Sequence, residues 1–329
     1  MHGETASVGI VGAGSWGTAL ACAVARAGRR VRLWARDPTA VQFMRARRES
    51  PRLPGVPLPR GVEPTADLAD LADCAVLLLA VPAQTVRTVA RRIASLPGTP
   101  LVCAKGIERG TRLRLTRVVA EETGHRTVGV LSGPSFAREV AEGRPTALTL
   151  AAPDLALARR LAALLASPAF RLYPADDPVG VELAGALKNV VAIAAGVVMG
   201  RGLGENARAA LITRGLAETA RLVVAEGGRR ETLMGLSGLG DLMLTATSLT
   251  SRNTRFGYDL GRGVPLAELH VPDRPLAEGV WTARAALELA ARHGVELPVT
   301  AAVADVVEGR IDVAAAVRRL LARPPAARE

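Results

Sequence analysis

A lysine stands in the middle of the apolar stretch VGVELAGALKNVVAIAAGVVMG, residues 179–200. The stretch is too long for a strand and apolar on every helical face, which predicts a buried helix. Lysine is among the residues least often fully buried, so Lys188 needs a specific reason to be there. Of the 42 lysines and arginines in the chain, only Lys105 and Lys188 are lysines. Wherever a plain positive charge suffices, this sequence uses arginine. Arginine stays protonated in proteins and cannot exchange a proton near neutral pH. A lysine in an apolar setting has its pKa lowered, by up to about 3–5 units on full burial. It then serves as a general acid and base, an effect of roughly 10²–10⁴ in rate. A side chain snorkelling to the surface is the competing reading, and it suits a helix apolar on all faces poorly. The histidines, His2, His125, His270 and His293, lie outside the motif-bearing loops. Lysine is therefore the candidate proton donor.

The segment VGIVGAGSWGTALA places Gly12, Gly14 and Gly17 in G-x-G-x-x-G spacing. It follows a predicted strand and opens a predicted helix, the context that gives this motif meaning. Gly12 permits the tight turn, Gly14 the approach of backbone to a pyrophosphate, and Gly17 close packing of helix on strand. The N–H groups of Ser15 and Trp16 then face phosphates at the positive helix end. An incidental glycine-rich turn is the plain alternative. The second predicted strand, VRLWARD, carries Arg36 where an NAD-selective site has an acid. Arg36 suits a 2′-phosphate, so the expected cofactor is NADP, with NAD also accepted. Asp37 is placed either to reach a ribose or to cap the next helix. Hydride transfer from such a cofactor to a ketone requires a proton for the developing alkoxide, which Lys188 could deliver.

Ligands of open α/β sheets bind beyond the carboxyl ends of the strands. Lys105, in PLVCAKGIERGT, follows one such end; Gly133, Ser135 and Ala137, in TVGVLSGPSFAREV, follow the next; Pro82 follows another. An exposed loop charge is the simpler reading of Lys105. Further on, Asp241 ends the glycine-rich turn GLSGLGD, and Ser251, Arg252 and Asn253 precede a helical pattern. Hydroxyl, guanidinium and amide donors beside a helix N-terminus make an anion site; a serine N-cap with solvated arginines is the alternative. Asp241 would repel an anionic substrate end, so it is assigned to the hydroxyl end or to holding Lys188.

These residues need elements to position them. From residue 7 to 173 short apolar runs alternate with helical patterns: SVGIVG, VRLWA, AVLLLAV, PLVCA, TVGVLS, TALTL and FRLY are candidate strands, with helices such as 16–27 and 85–95 between them. Such alternation predicts a mostly parallel, doubly wound sheet of Rossmann type with helices on both faces. Residues 49–64, with prolines 51, 54, 57, 59 and 64, read as a surface loop. From about residue 177 only helical patterns follow: 179–199, 205–226, 253–260, 276–292 and 312–321. The expected division is an α/β dinucleotide-binding domain, 1–178, and an all-helical substrate-binding domain, 179–329.

The chain has 329 residues, is 49% hydrophobic and carries a net charge of +11. Its arginines are dispersed and aromatics are only 3%, so few rings could stack on single strands and nucleic acid is not the expected partner. A positive field suits an anionic substrate and cofactor equally well. Apolar runs fall short of the ~20 residues of a membrane span, and the N-terminus lacks a basic leader. Cys22, Cys74 and Cys103 are far apart and in apolar settings, as in a reducing cytoplasm, and suggest neither disulfide nor zinc site. No metal is expected.

The segments GAGSWGTALA, AKGIE, SGPSFAREV, LKNVVAIAAG, LGENARAALITRGLAE, GLSGLGDLMLT, SRNTRFG and AEGVWTA, in this order, resemble the bacterial-type NAD(P)-dependent glycerol-3-phosphate dehydrogenases from about residue 8 to 285. The resemblance implies reduction of dihydroxyacetone phosphate to sn-glycerol 3-phosphate for phospholipid synthesis, with Lys188 as proton donor and acceptor. It implies that Lys105, Gly133, Ser135, Asp241, Ser251, Arg252 and Asn253 hold the substrate. Ser15, Trp16, Arg36, Lys105, Ala137, Arg252, Leu276 and Glu278 would hold the cofactor. The expected partner is one small phosphorylated molecule, and a homodimer is left open. A β-hydroxyacid-type dehydrogenase and a non-catalytic dinucleotide sensor are the competing classes. The anion cluster at Arg252 discriminates against the first, and turnover against the second.

Overall fold

The computed structural model describes residues 7–269 and 277–324. Its strands are β1 (Ser7–Val11), β2 (Val31–Trp34), β3 (Glu49–Ser50), β4 (Leu53–Pro57), β5 (Val62–Thr65), β6 (Cys74–Leu79), β7 (Thr99–Val102), β8 (Gly129–Ser132), β9 (Thr146–Ala151) and β10 (Phe170–Ala175). Helices α1 (Ser15–Arg26), α2 (Pro38–Arg47), α3 (Val86–Arg92), α4 (Leu115–Thr123), α5 (Ala137–Glu142) and α6 (Leu155–Leu165) alternate with them. Eight strands form one sheet in the order β10-β9-β8-β7-β6-β1-β2-β5, parallel throughout except between β8 and β9. Strands such as β1 and β6 are apolar over nearly their whole length because helices cover both faces, and Ile10, Leu77, Leu78 and Leu79 are fully buried. The chain runs from β1 outward through β2 to β5, then returns to β6 on the other side. The reversal opens a crevice at the carboxyl ends of β1 and β6.

All seven predicted strands are present. The expected surface loop over 49–64 is corrected: it contains the antiparallel β3–β4 hairpin and β5, which extends the main sheet. Its prolines hid the strand. Pro64 pairs with Leu33 at the outer edge, where a missing N–H costs no ladder bond.

Beyond β10 the described chain is helical: α7 (Pro178–Gly200), α8 (Glu205–Ala225), α9 (Asp241–Ala246), α10 (Arg252–Gly261), α11 (Leu266–Leu269), α12 (Glu278–Ala291), α13 (Pro298–Val307) and α14 (Val313–Leu321). Among the described helices α7 alone is long and apolar enough to cross a membrane, but 83% of its most apolar window is buried inside the protein. It is a core helix, with α8, α9, α10 and α12 packed around it.

The α7–α10 contact is backbone against backbone. A Cβ at Gly257 would lie 1.9 Å from the Ile193 carbonyl oxygen, and one at Gly196 would lie 2.1 Å from that of Thr254. Removing side chains from both ridges lets the axes approach closely. This draws the head of α10, Arg252 and Asn253, toward the middle of α7, where Lys188 and Asn189 sit. Gly257→Ala should overpack this crossing and lower stability by about 1–3 kcal/mol or more, read as a lower urea midpoint at unchanged slope. An unchanged midpoint would show that the helices separate without cost.

Candidate active site

The turn between β1 and α1 sits at the sheet reversal. Gly12 has φ +115°, and a Cβ there would meet the Ala80 carbonyl oxygen at 2.7 Å. A Cβ on Gly17 would lie 1.8 Å from the Gly12 carbonyl oxygen, so this position admits only glycine. At Gly14 a Cβ would meet nothing within 4 Å. Gly14 is the N-cap of α1, with no side-chain cap and no acid in the first turn. The first N–H groups of α1 are thus left for an anion, and a dinucleotide diphosphate fits this open turn. The Ser15 hydroxyl is engaged elsewhere, donating to the Arg52 carbonyl at 2.7 Å, so its backbone is what the turn presents. Trp16 Nε1 is buried without a hydrogen-bond partner among the described residues. Arg36 is exposed just past β2. Asp37 caps α2, accepting from Thr39 N at 2.9 Å and Thr39 Oγ1 at 2.7 Å. Of its two readings, the cap is the one seen.

The two lysines meet on one carboxylate. Lys188 Nζ donates to Asp241 Oδ1 at 2.7 Å and to Thr245 Oγ1 at 2.6 Å. Lys105 Nζ, from the loop after β7, donates to Asp241 Oδ2 at 2.6 Å and to the Gly133 carbonyl at 3.3 Å. The Asp241 side chain is 1% exposed and that of Lys188 is 9% exposed. A π-helical turn, Leu236–Gly240, runs directly into α9 and delivers Asp241 to this spot; such turns recur at functional sites. Burial pushes the Lys188 ammonium down to about 8, with Lys105 adding to the fall and Asp241 opposing it. Burial acts to raise the Asp241 carboxyl, but Lys105 and Lys188 outweigh it and hold the group below its ordinary range.

Around this cluster lie further predicted residues. Ser135 Oγ donates to the Gly133 carbonyl at 3.1 Å, and Ala137 opens α5. Glu278 opens α12 and accepts from Ala83 N at 3.3 Å. Burial raises its carboxyl, against the pull of Arg252, Lys105 and Lys188, which places these charges around one crevice. Arg252 is exposed at the start of α10. Ser251 caps that helix, accepting from Thr254 N at 3.3 Å. Asn253 bridges three helices: its Nδ2 donates to Asn189 Oδ1 at 3.0 Å, and its Oδ1 accepts from Gly279 N at 3.0 Å. Within the Ser-Arg-Asn cluster, Arg252 therefore has the freest donors. Leu276 lies outside the described residues.

Two participants escaped the sequence reading. Thr245 stands four residues after Asp241 on α9, a spacing that puts both on one helical face and could have revealed it. Asn189 adjoins Lys188 in the apolar run, and its polar side chain in that setting is the signal that could have found it. The histidines that are described stand apart from the site: His125 meets the Leu96 carbonyl and His293 meets Glu226. Among the described residues no group of three or more His, Cys, Asp or Glu could hold a metal ion.

An anion-ready turn on a doubly wound sheet, opposed by a buried amine on a helical half, is the layout of a dinucleotide-dependent oxidoreductase. The chain belongs to the NAD-dependent glycerol-3-phosphate dehydrogenases: the family's N-terminal model matches residues 7–158 and its C-terminal model residues 177–318. It is 53% identical, over 98% of both chains, to the glycerol-3-phosphate dehydrogenase [NAD(P)+] of Bradyrhizobium sp. (strain BTAi1). It is 54% identical to that of Azorhizobium caulinodans, over 96% of this chain and 97% of the relative. The crystal structure of the Coxiella burnetii glycerol-3-phosphate dehydrogenase superposes with a TM-score of 0.91 at 42% identity, covering 97% of this chain and 99% of that one.

Asp241→Asn would leave two ammonium groups facing one amide and should destabilise the protein by about 3–5 kcal/mol near neutral pH. Because the folded pKa of Asp241 is depressed, its contribution is complete above the ordinary carboxylate value of about 3.9 and is lost as pH falls through the lowered one. The gap in denaturant stability between wild type and variant should therefore narrow in acid. An equal gap at pH 3 and pH 7 would contradict this.

Proposed function

We propose that the chain reduces dihydroxyacetone phosphate to sn-glycerol 3-phosphate with NADPH or NADH, reversibly, and so supplies the head-group precursor of phospholipids. The observation that carries this reading is the buried Lys188 ammonium, held by Asp241 and Thr245 with its pKa brought to about 8. Its relatives, named glycerol-3-phosphate dehydrogenase [NAD(P)+], support the reading.

When bound, the nicotinamide supplies the hydride. The chain supplies the rest. The α1 N-terminus holds the diphosphate, and exposed Arg36 favours the 2′-phosphate of NADP, since Asp37 is engaged as a cap. Glu278 and Ala137 line the cofactor side. Arg252 binds the substrate phosphate, supported by the α10 head that Ser251 and Asn253 stabilise. Remote phosphate binding of this kind orients the reacting carbonyl. Gly133 and Ser135 bound the substrate from the sheet side. Lys188 gives its Nζ proton to the carbonyl oxygen as that oxygen gains charge, and Asp241 and Thr245 keep the nitrogen in place. Lys105, held on the other oxygen of Asp241, helps to hold the substrate beside it. In the reverse direction neutral Lys188 takes the hydroxyl proton. The proposed division is a dinucleotide-binding part, 1–178, and a helical substrate-binding part, 179–329, working in the cytoplasm without nucleic acid and in a chain that could pair as a homodimer.

The test is loss of NADPH or NADH absorbance with dihydroxyacetone phosphate, against unphosphorylated dihydroxyacetone. The phosphorylated ketone should be strongly preferred. Reduction needs protonated Lys188, so its rate should fall as pH rises through about 8; oxidation of glycerol 3-phosphate should rise through the same window. Lys188→Arg keeps the charge but not the exchangeable proton and should lose roughly 10² or more in kcat with cofactor affinity retained. Near-normal kcat in that variant would refute the proton-transfer role.

A further inference from the structure

Gly185 lies in the buried interior of α7, three residues before Lys188. Glycine weakens a helix interior relative to alanine, so an unsubstituted position here needs a cause. A Cβ on Gly185 would lie 2.7 Å from Ser132 Oγ, and 3.6 Å from both Ser132 Cβ and Lys105 Cγ. Ser132 ends β8, and its backbone is held in register opposite Thr149 of β9. Its side-chain oxygen is buried and has no hydrogen-bond partner among the described residues. An unpaired buried hydroxyl calls for an explanation, and here its place is the gap that Gly185 leaves open. The Lys105 side chain runs through the same gap on its way to Asp241 Oδ2 and the Gly133 carbonyl. Three elements, the β7 loop, β8 and α7, thus share one space, in which a methyl on α7 would collide with the hydroxyl.

We propose that Gly185 and Ser132 form a positioning pair that sets the path of the Lys105 side chain to Asp241, and through that carboxylate the setting of Lys188. Neither residue touches substrate or reacting atoms in this role. An added methyl displaces the serine oxygen, the oxygen presses on the Lys105 stem, and the Lys105 ammonium loses its place on Asp241.

The role has a signature that a general loss of packing lacks. The ionisable groups facing Lys188 are Asp241 from α9, Lys105 from the β7 loop and Glu278 from α12; Arg252 of α10 acts on Glu278. From α8 come Leu216 and Thr219, neither ionisable. Of these, Lys105 acts to lower the Lys188 ammonium. Moving Lys105 away lifts that influence, so the Lys188 pKa rises and the falling limb of the reductive pH profile moves to higher pH.

The inference rests on the reductase reading above. Wild-type turnover tests that reading, whereas the ratio of variant to wild type tests this one. Gly185→Ala should lower reductive kcat by about tenfold or more, leave the cofactor KM little changed, and move the falling limb upward. Ser132→Thr adds volume to the same gap from the sheet side and leaves α7 untouched, so it should show the same two effects should Gly185→Ala fail to fold. The double variant Gly185→Ala/Ser132→Ala exchanges the serine oxygen for the alanine methyl across the gap. It should return kcat and pH limb to within about threefold and a few tenths of a pH unit of wild type, far from the additive expectation. Wild-type kcat and pH limb in Gly185→Ala and Ser132→Thr would overturn the proposal by showing that the hydroxyl simply rotates aside. So would a folded double variant that stays as impaired as Gly185→Ala, which would mark a defect of α7 itself.

Discussion

The site depends on one buried carboxylate shared by two ammonium groups. Asp241 takes Lys188 on one oxygen and Lys105 on the other, and each partner comes from a different part of the fold. A buried ion pair gains little net stability, but breaking it leaves a stranded charge. Here three charges are arranged so that none is stranded, while one positive charge is left over. That surplus suits a phosphorylated substrate and a developing alkoxide. Burial moves Lys188 toward the pH range where an amine can both give and take a proton, and Lys105 adds to that fall. A lysine paired alone with a carboxylate would be held more firmly in its charged form. The dry helix, with the second lysine adding to its effect, makes the first one labile.

The remaining architecture brings those three groups together. Lys105 rides on a loop fixed to the helical half by Arg112–Glu288 and by Arg114 with Glu182 and Glu226. Arg109 lies over the Trp281 ring, 4.5 Å from its centroid. Arg87 clamps Glu108 of the same loop against α3. On the other side, α10 crosses α7 at backbone distance through glycines, and Asn253 ties α7, α10 and α12. The crevice between sheet and helices is thereby built from rigid elements, as preorganised charge requires.

Much of this was legible in the sequence because it rests on local pattern. The seven predicted strands, the glycine turn and the apolar helix around Lys188 follow from periodicity and residue type alone. The scarcity of lysine in an arginine-rich chain singled out both amines that meet on Asp241. What was not legible depends on approach in three dimensions. β5 looked like a loop because proline is tolerated only at the outer sheet edge it occupies. That Thr245 holds Lys188, that Asn253 spends its amide on Asn189 and Gly279, and that the Ser15 hydroxyl turns to Arg52 are facts of packing. Asp37 could be read two ways in sequence, and its bonds to Thr39 show it as the cap of α2.

The same scarcity offers the most direct test. With only Lys105 and Lys188 in the chain, lysine labelled with ¹⁵N at Nζ gives two side-chain signals, which Lys188→Arg assigns. Titrating the folded enzyme by NMR reads the Lys188 pKa without recourse to kinetics. The account predicts a Lys188 midpoint of about 8. A Lys188 midpoint at the ordinary lysine value of about 10.4 would contradict it, since the amine would then be a fixed charge and not the proton donor.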